Sequence, residues 1–162
     1  MMSNKPEYIY ETFIRTTPEK LWEGLTSAAF TRLYFHNTEI SSDWEVGSAV
    51  VFNRANGGGA AVEGKILAAE KPKLLSYTWR ALYDEDMAAE SHSRVTFEIE
   101  AMPGVCRLRI VHDDFEAGSK TYEQVSQGWS AIICSLKSLL ETGEPLLLAG
   151  NEETTEQVKG VA

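Results

Sequence analysis

Residues 44–114 read as strand after strand, and a single long amphipathic segment, at about residues 121–141, follows them. This order constrains the fold more than any other feature. A sheet that long must bury one apolar face, and only the late helix is long enough to cover it. Residues 46–53, 61–70 and 74–81 form the first expected strands, divided by Asn56-Gly57-Gly58-Gly59 and by Lys71-Pro72-Lys73. An acidic loop occupies residues 82–91. Residues 94–101 then alternate, with Val95, Phe97 and Ile99 on one face and Arg94, Thr96, Glu98 and Glu100 on the other. Met102-Pro103-Gly104-Val105 has the Pro-Gly order of a type II turn. The last strand, 106–113, places Cys106, Leu108, Ile110 and His112 on a common face. Turns this short imply an antiparallel meander.

The opening is equally patterned. Residues 8–15 are rich in aromatic and β-branched side chains and predict a strand. Thr17-Pro18-Glu19 supplies a helix cap, a first-turn proline and an acid at the positive end of the dipole. Leu21, Trp22 and Leu25 follow at helical spacing, and Ser27 can cap a second short helix carrying Phe30, Leu33 and Tyr34. In the late helix, Val125, Trp129, Ile132, Ile133, Leu136, Leu139 and Leu140 recur at three- and four-residue steps. Gly143 and Pro145 end it. The expected fold is α+β, in the order β-αα-βββββ-α, with one domain over residues 1–150 and a flexible polar tail over 151–162.

Charge narrows the function. A formal net charge of -9 without a basic cluster argues against nucleic acid as a partner. No apolar run approaches the length of a membrane span, and the first residues lack the apolar core of a signal peptide, so a cytoplasmic location is expected. Cys106 and Cys134 form no CxxC and have no nearby histidine at ligand spacing; both are expected to be buried, reduced thiols. Nothing in the sequence signals a metal or an organic cofactor. Gly57-Gly58-Gly59 lacks the following Lys-Ser/Thr of a phosphate loop and reads as a hairpin turn.

The ordered set of segments resembles the START-like helix-grip superfamily, which includes the birch pollen allergen and polyketide cyclases. It is most similar to the family named after the activator of the ninety-kilodalton heat-shock protein's ATPase. The stretches that carry the likeness are 17–26 and 73–79, together with Val95-Thr96-Phe97-Glu98-Ile99, Leu108-Arg109-Ile110-Val111-His112, Gly128-Trp129 and 136–143. The resemblance implies a curved antiparallel sheet gripping the long helix around a hydrophobic cavity. In the family a His-x-Gly-Phe pattern is usual after the last strand. Here Asp114 stands at the glycine position, so a different loop geometry is expected.

Side chains facing the interior give the candidate site: Tyr77, Trp79, Val95, Phe97, Leu108, Ile110 and His112 from the sheet, with Trp129, Ile132, Ile133 and Leu136 from the helix. A packed core explains any one of them. As a group, the aromatic members suit a flat apolar ligand. Three functions follow. The first is a non-catalytic carrier or sensor of a small hydrophobic molecule, lipid-like or aromatic. The second is a cyclase-type enzyme, with His112 as acid/base near the pocket mouth and Tyr77 orienting an enolate. The third is a stress-related protein-interaction module with a chaperone as partner. An edge strand or Leu146-Leu147-Leu148 can serve a homodimer contact or pack back on the domain. Glu63 and Arg80 are either polar partners of the ligand or solvent-facing.

Overall fold

A computed structural model describes residues 5–146. Seven strands and four helices follow the order β1 (Tyr8–Ile14), α1 (Pro18–Thr26), α2 (Ala28–Tyr34), β2 (Thr38–Ser42), β3 (Ala49–Arg54), β4 (Ala60–Glu70), β5 (Leu74–Ala81), α3 (Glu85–Ala88), β6 (Ser93–Met102), β7 (Val105–Asp113) and α4 (Lys120–Thr142). The strands form one antiparallel sheet ordered β1-β7-β6-β5-β4-β3-β2. β2 to β7 run as a meander, and α1 and α2 carry the chain from one sheet edge, β1, to the other, β2. Irregularities in the pairing at Phe52/Asn53 and at Ile66/Ala68 bend the sheet.

The inner face is set by alternation. Leu75, Tyr77 and Trp79 of β5, Val95, Phe97 and Ile99 of β6, and Cys106, Leu108, Ile110 and His112 of β7 are all buried. α4 covers them with Val125, Trp129, Ile132, Ile133, Leu136 and Leu139. The opposite face carries ion pairs between neighbouring strands: Arg94–Asp113 at 2.8 Å, Arg107–Glu100 at 2.8 Å and Arg80–Glu63 at 3.0 Å. Such exposed pairs add little stability individually. They place Glu63 and Arg80 outside the core.

Local chemistry explains the helix ends. Thr17 Oγ1 accepts from the Lys20 amide at 3.2 Å, and Ser119 Oγ accepts from the Tyr122 amide at 3.0 Å. Gly143 ends α4 at φ 88°, the left-handed conformation that glycine adopts without steric cost. Ser27 precedes α2 but makes no side-chain cap bond.

Several expectations need correction. β2 was not anticipated; it is a short, largely polar edge strand. The acidic loop contains the single turn α3, capped by Asp84 Oδ1 accepting from the Met87 amide at 3.0 Å. The strand expected from residue 46 begins at Ala49, because residues 45–48 turn, with Gly47 at φ 90°. Cys106 is buried but Cys134 is exposed, since its helical position lies off the stripe formed by Trp129, Ile133 and Leu136. Asp114 adopts φ 62°, so the loop after β7 takes the left-handed conformation that glycine would give it. The expected tail over 151–162, Leu147-Leu148 of the expected contact segment and the first four residues lie outside the described residues.

Candidate functional site

The sheet and α4 diverge at the end where the N-terminal half of α4 passes over β3, β4 and β5. There they enclose an open cleft of about 730 Å³. Its size falls within the range typical of small-molecule sites. Four buried aromatic side chains from different elements make its apolar floor, Phe35 after α2, Phe52 from β3, Trp79 from β5 and Trp129 from α4, and the exposed Tyr83 stands at its edge. Ring centroids lie 4.8 Å apart for Phe35–Phe52, 5.6 Å for Phe52–Trp79, 5.5 Å for Trp79–Trp129 and 5.6 Å for Phe35–Trp129. Ile132, Val125 and Val62 extend the apolar wall. The rim is polar, formed by His36, Asn37, Arg54, Asn56, Gln124 and Gln127.

Two features mark this cleft. The Nε1–H of Trp79 is buried and has no hydrogen-bond partner. A buried donor without an acceptor costs roughly 1–3 kcal/mol. At the rim, His36 and Asn37 both hold left-handed backbone, at φ 51° and 55°. Such strain in residues other than glycine concentrates at functional sites.

The residues proposed from sequence separate into groups. Trp79, Trp129 and Ile132 line the cleft. Tyr77, Phe97 and Ile133 lie deeper, around a residual void of about 10 Å³ that they fill together with Phe35, Phe52 and Trp129. Val95, Leu108, Ile110 and Leu136 are fully buried and line neither space. The aromatic cluster thus closes the middle of the sheet–helix sandwich and leaves room only at its end. Sequence reasoning missed Phe35, Phe52 and the polar rim. Alternation of Val50 and Phe52 along β3 signals the second of these; the others depend on how loops meet in space.

His112 is not at a mouth. It is fully buried, 4.7 Å from the stacked ring of Phe115. Trp129 Nε1–H donates to His112 Nδ1 at 3.0 Å. An indole nitrogen only donates, so Nδ1 carries the lone pair and the proton sits on Nε2. Nε2 then donates to Ser93 Oγ at 2.8 Å, and Ser93 Oγ donates to the Trp79 carbonyl at 3.4 Å. The chain ties α4, β7, β6 and β5 together directly beneath the cleft. Both ring nitrogens are committed to protein partners. Burial also raises the Tyr77 phenol well above its usual pKa.

Burial lowers the pKa of His112 from 6.5 to about 3. The same ring titrates near 6.5 in an unfolded chain. Between those values the unfolded state binds a proton that the folded state refuses, so acid favours unfolding. The contribution is complete above about pH 6.5, falls by about 1.4 kcal/mol per pH unit below it and is exhausted near pH 3. The unfolding free energy from urea titrations should therefore fall further between pH 6.5 and pH 4.5 for the wild type than for His112→Gln, by about 2–3 kcal/mol. Equal pH dependence in the two proteins would contradict a buried neutral histidine.

A second groove of about 670 Å³ runs along the outside of α1 and contains Trp22 and Trp44, but charged Glu19, Lys20, Glu23 and Lys71 also line it. Among the described residues, no group of three or more His, Cys, Asp or Glu side chains is placed to hold a metal ion. No described helix is long and apolar enough to cross a membrane.

The family model described as activator of Hsp90 ATPase homolog 1-like protein matches residues 15–141. The solved structure of protein MLL2253 from Mesorhizobium loti is 29% identical, with a TM-score of 0.70 over 83% of this chain and 96% of that one. The Aha1 dimer from Colwellia psychrerythraea is 22% identical, with a TM-score of 0.67 over 85% of this chain and 98% of that one. PFC0360w, an HSP90 activator from Plasmodium falciparum, is 21% identical, with a TM-score of 0.62 over 76% of this chain and 87% of that one. The last two likenesses show the fold alone. The comparison with curated proteins gives no match.

Proposed function

We propose that this chain, which belongs to the activator of Hsp90 ATPase homolog 1-like family and has its helix-grip fold, is a non-catalytic binding protein for a small apolar molecule. The observation that supports this most is the cleft of about 730 Å³ walled by Phe35, Phe52, Trp79 and Trp129. The four rings are 2–7% exposed, held in place by one another and by the core, and give the cleft a preformed apolar floor on which a flat or aliphatic body can pack. Acid/base chemistry has little to work with here. His112 lies beneath the cleft with both nitrogens engaged, and burial keeps the Tyr77 phenol protonated.

The chaperone-partner reading draws on the printed role of the Plasmodium relative, whose likeness carries the fold alone. It calls for a continuous apolar patch on the outer sheet face. On β1 the exposed Ile9 and Phe13 flank Glu11, and the adjoining strands present Arg107, Arg109, Glu98 and Glu100.

Gly128 gives a test that separates binding from folding. It lines the cleft in mid-helix, and a Cβ built there meets nothing within 4 Å. Glycine in a helix costs about 0.8–1 kcal/mol relative to better helix formers. Gly128→Leu should therefore fold with unchanged or raised stability while its side chain occupies the cleft. Thermal unfolding and calorimetric titration with naphthaleneacetate, an aromatic probe, read the two effects separately. The expected outcome is a melting point at or above wild type with binding lost. Binding at wild-type affinity in Gly128→Leu would place the ligand elsewhere.

A further inference from the structure

We infer that the occupant of the cleft is an apolar carboxylate, its body against the aromatic wall and its charged end held at the rim by Arg54. This rests on the binding role proposed above and deepens it. The first ground is charge. The chain carries a net charge of -9, yet among the described residues no Asp or Glu lines the cleft, and Arg54 does. A carboxylate approaching this opening therefore meets a cation and no like charge at the wall.

The second ground is the state of Arg54. Several arginines of the outer surface have carboxylate partners: Arg32 with Glu39, Arg94 with Asp113, and Arg107 with Glu100. Arg54 has no carboxylate within ion-pair distance among the described residues. Its NH1 donates instead to the carbonyls of Gly58 at 2.9 Å and Ala60 at 3.2 Å. Those bonds fix the guanidinium on the β3–β4 hairpin at the cleft edge. Its remaining N–H groups keep the planar fork that matches a carboxylate. A held, half-buried guanidinium loses less freedom on binding than a free surface arginine does.

The third ground is the wall itself and is independent of Arg54. Phe35, Phe52, Trp79 and Trp129 line the cleft with aromatic surface that suits an apolar body. The rim adds an unpaired cation, which calls for an oxygen acceptor at the other end of the ligand.

The test compares matched probes that differ only in charge. Naphthaleneacetate and its neutral amide have the same aromatic body; decanoate and decanamide repeat the comparison on an aliphatic chain. Calorimetric titrations at pH 7.5 would use wild type, Arg54→Gln and Arg54→Lys. In wild type the carboxylate of at least one pair should bind about tenfold or more tightly than its amide. Arg54→Gln should abolish that preference and leave the amide unchanged, while Arg54→Lys should retain a preference for the anion. Which pair binds tells an aromatic from an aliphatic body. Equal affinity for acid and amide in wild type overturns the inference and leaves the binding role standing. So does an equal loss of both in Arg54→Gln, which would mean that the residue only shapes the hairpin. Binding of none of the probes overturns the inference and the binding role together.

Discussion

Replacing Gly64 with alanine is expected to destabilise the protein by about 3 kcal/mol or more, because there is no room for a side chain between β4 and β5. A Cβ built on Gly64 lies 1.7 Å from the carbonyl oxygen of Thr78 and 2.6 Å from its carbonyl carbon. Both atoms are backbone of the neighbouring strand, so no rotamer change relieves the clash. The close approach accompanies the pairing irregularity that follows, and there the Lys65 amide bonds to Thr78 Oγ1 at 2.9 Å. Glycine at such a point marks a place where two backbones meet. Any larger residue must push β4 from β5 and break the sheet where it bends toward the cleft. For a domain of this size each kcal/mol lowers the melting point by roughly 2–4 °C, so a fall of about 6 °C or more is expected. Gly104→Ala is a useful contrast: its strain comes from φ 78° alone, with nothing within 4 Å of the added atom. A Gly64→Ala protein as stable as wild type would mean that the β4–β5 register differs from the one described.

Trp129→Ala carries the other large effect, and it acts on stability and binding together. The side chain is 2% exposed and packs against Phe35, Trp79, Phe97 and His112. Removing it from the core costs about 3–5 kcal/mol. It also strips His112 Nδ1 of its donor, leaving a buried acceptor unpaired. Trp129→Phe separates the two losses, since it keeps most of the ring volume but has no N–H. Denaturant titration should rank wild type above Trp129→Phe and Trp129→Phe above Trp129→Ala. Binding of an aromatic carboxylate should weaken in the phenylalanine variant and vanish in the alanine variant. A loss below about 1 kcal/mol in Trp129→Ala would contradict its place in the core.

Much of this fold was legible in the residues, and the reasons are local. Strict alternation in β6 and β7 needs only period-two patterning, and the stripe on α4 needs only the helical repeat. The caps at Thr17 and Gly143 rest on single side chains with a single physical role. β2 was not legible for the opposite reason. Thr38-Glu39-Ile40-Ser41-Ser42 carries one apolar residue, and it becomes a strand because β3 offers an edge to pair with. α3 depends on one capping aspartate in a stretch whose acidity reads as loop.

The site was less legible than the fold. Alternation assigns Trp79 and His112 to the inner face, but it does not say where between sheet and helix the space remains. Three aromatic side chains, Phe35, Tyr77 and Phe97, fill the middle, and their rings meet only once α2, β5 and β6 are assembled. The role of His112 turned on Trp129 and Ser93, which reach it from other elements. Arg54 gives no signal in sequence at all. Its interest comes from the company it lacks, and that becomes visible only when every carboxylate near the cleft has been placed.

The central claim is that an apolar ligand sits against Trp79 and Trp129, and the indole N–H resonances test it most directly. The chain has four tryptophans. Trp79 and Trp129 belong to the cleft, while Trp22 and Trp44 belong to the groove outside α1. In a proton–nitrogen correlation spectrum of labelled protein, titrated with naphthaleneacetate, the Trp79 and Trp129 indole signals should move and saturate together. Those of Trp22 and Trp44 should stay in place. Movement of Trp22 and Trp44 alone, or of no indole signal at a saturating concentration, would contradict the account.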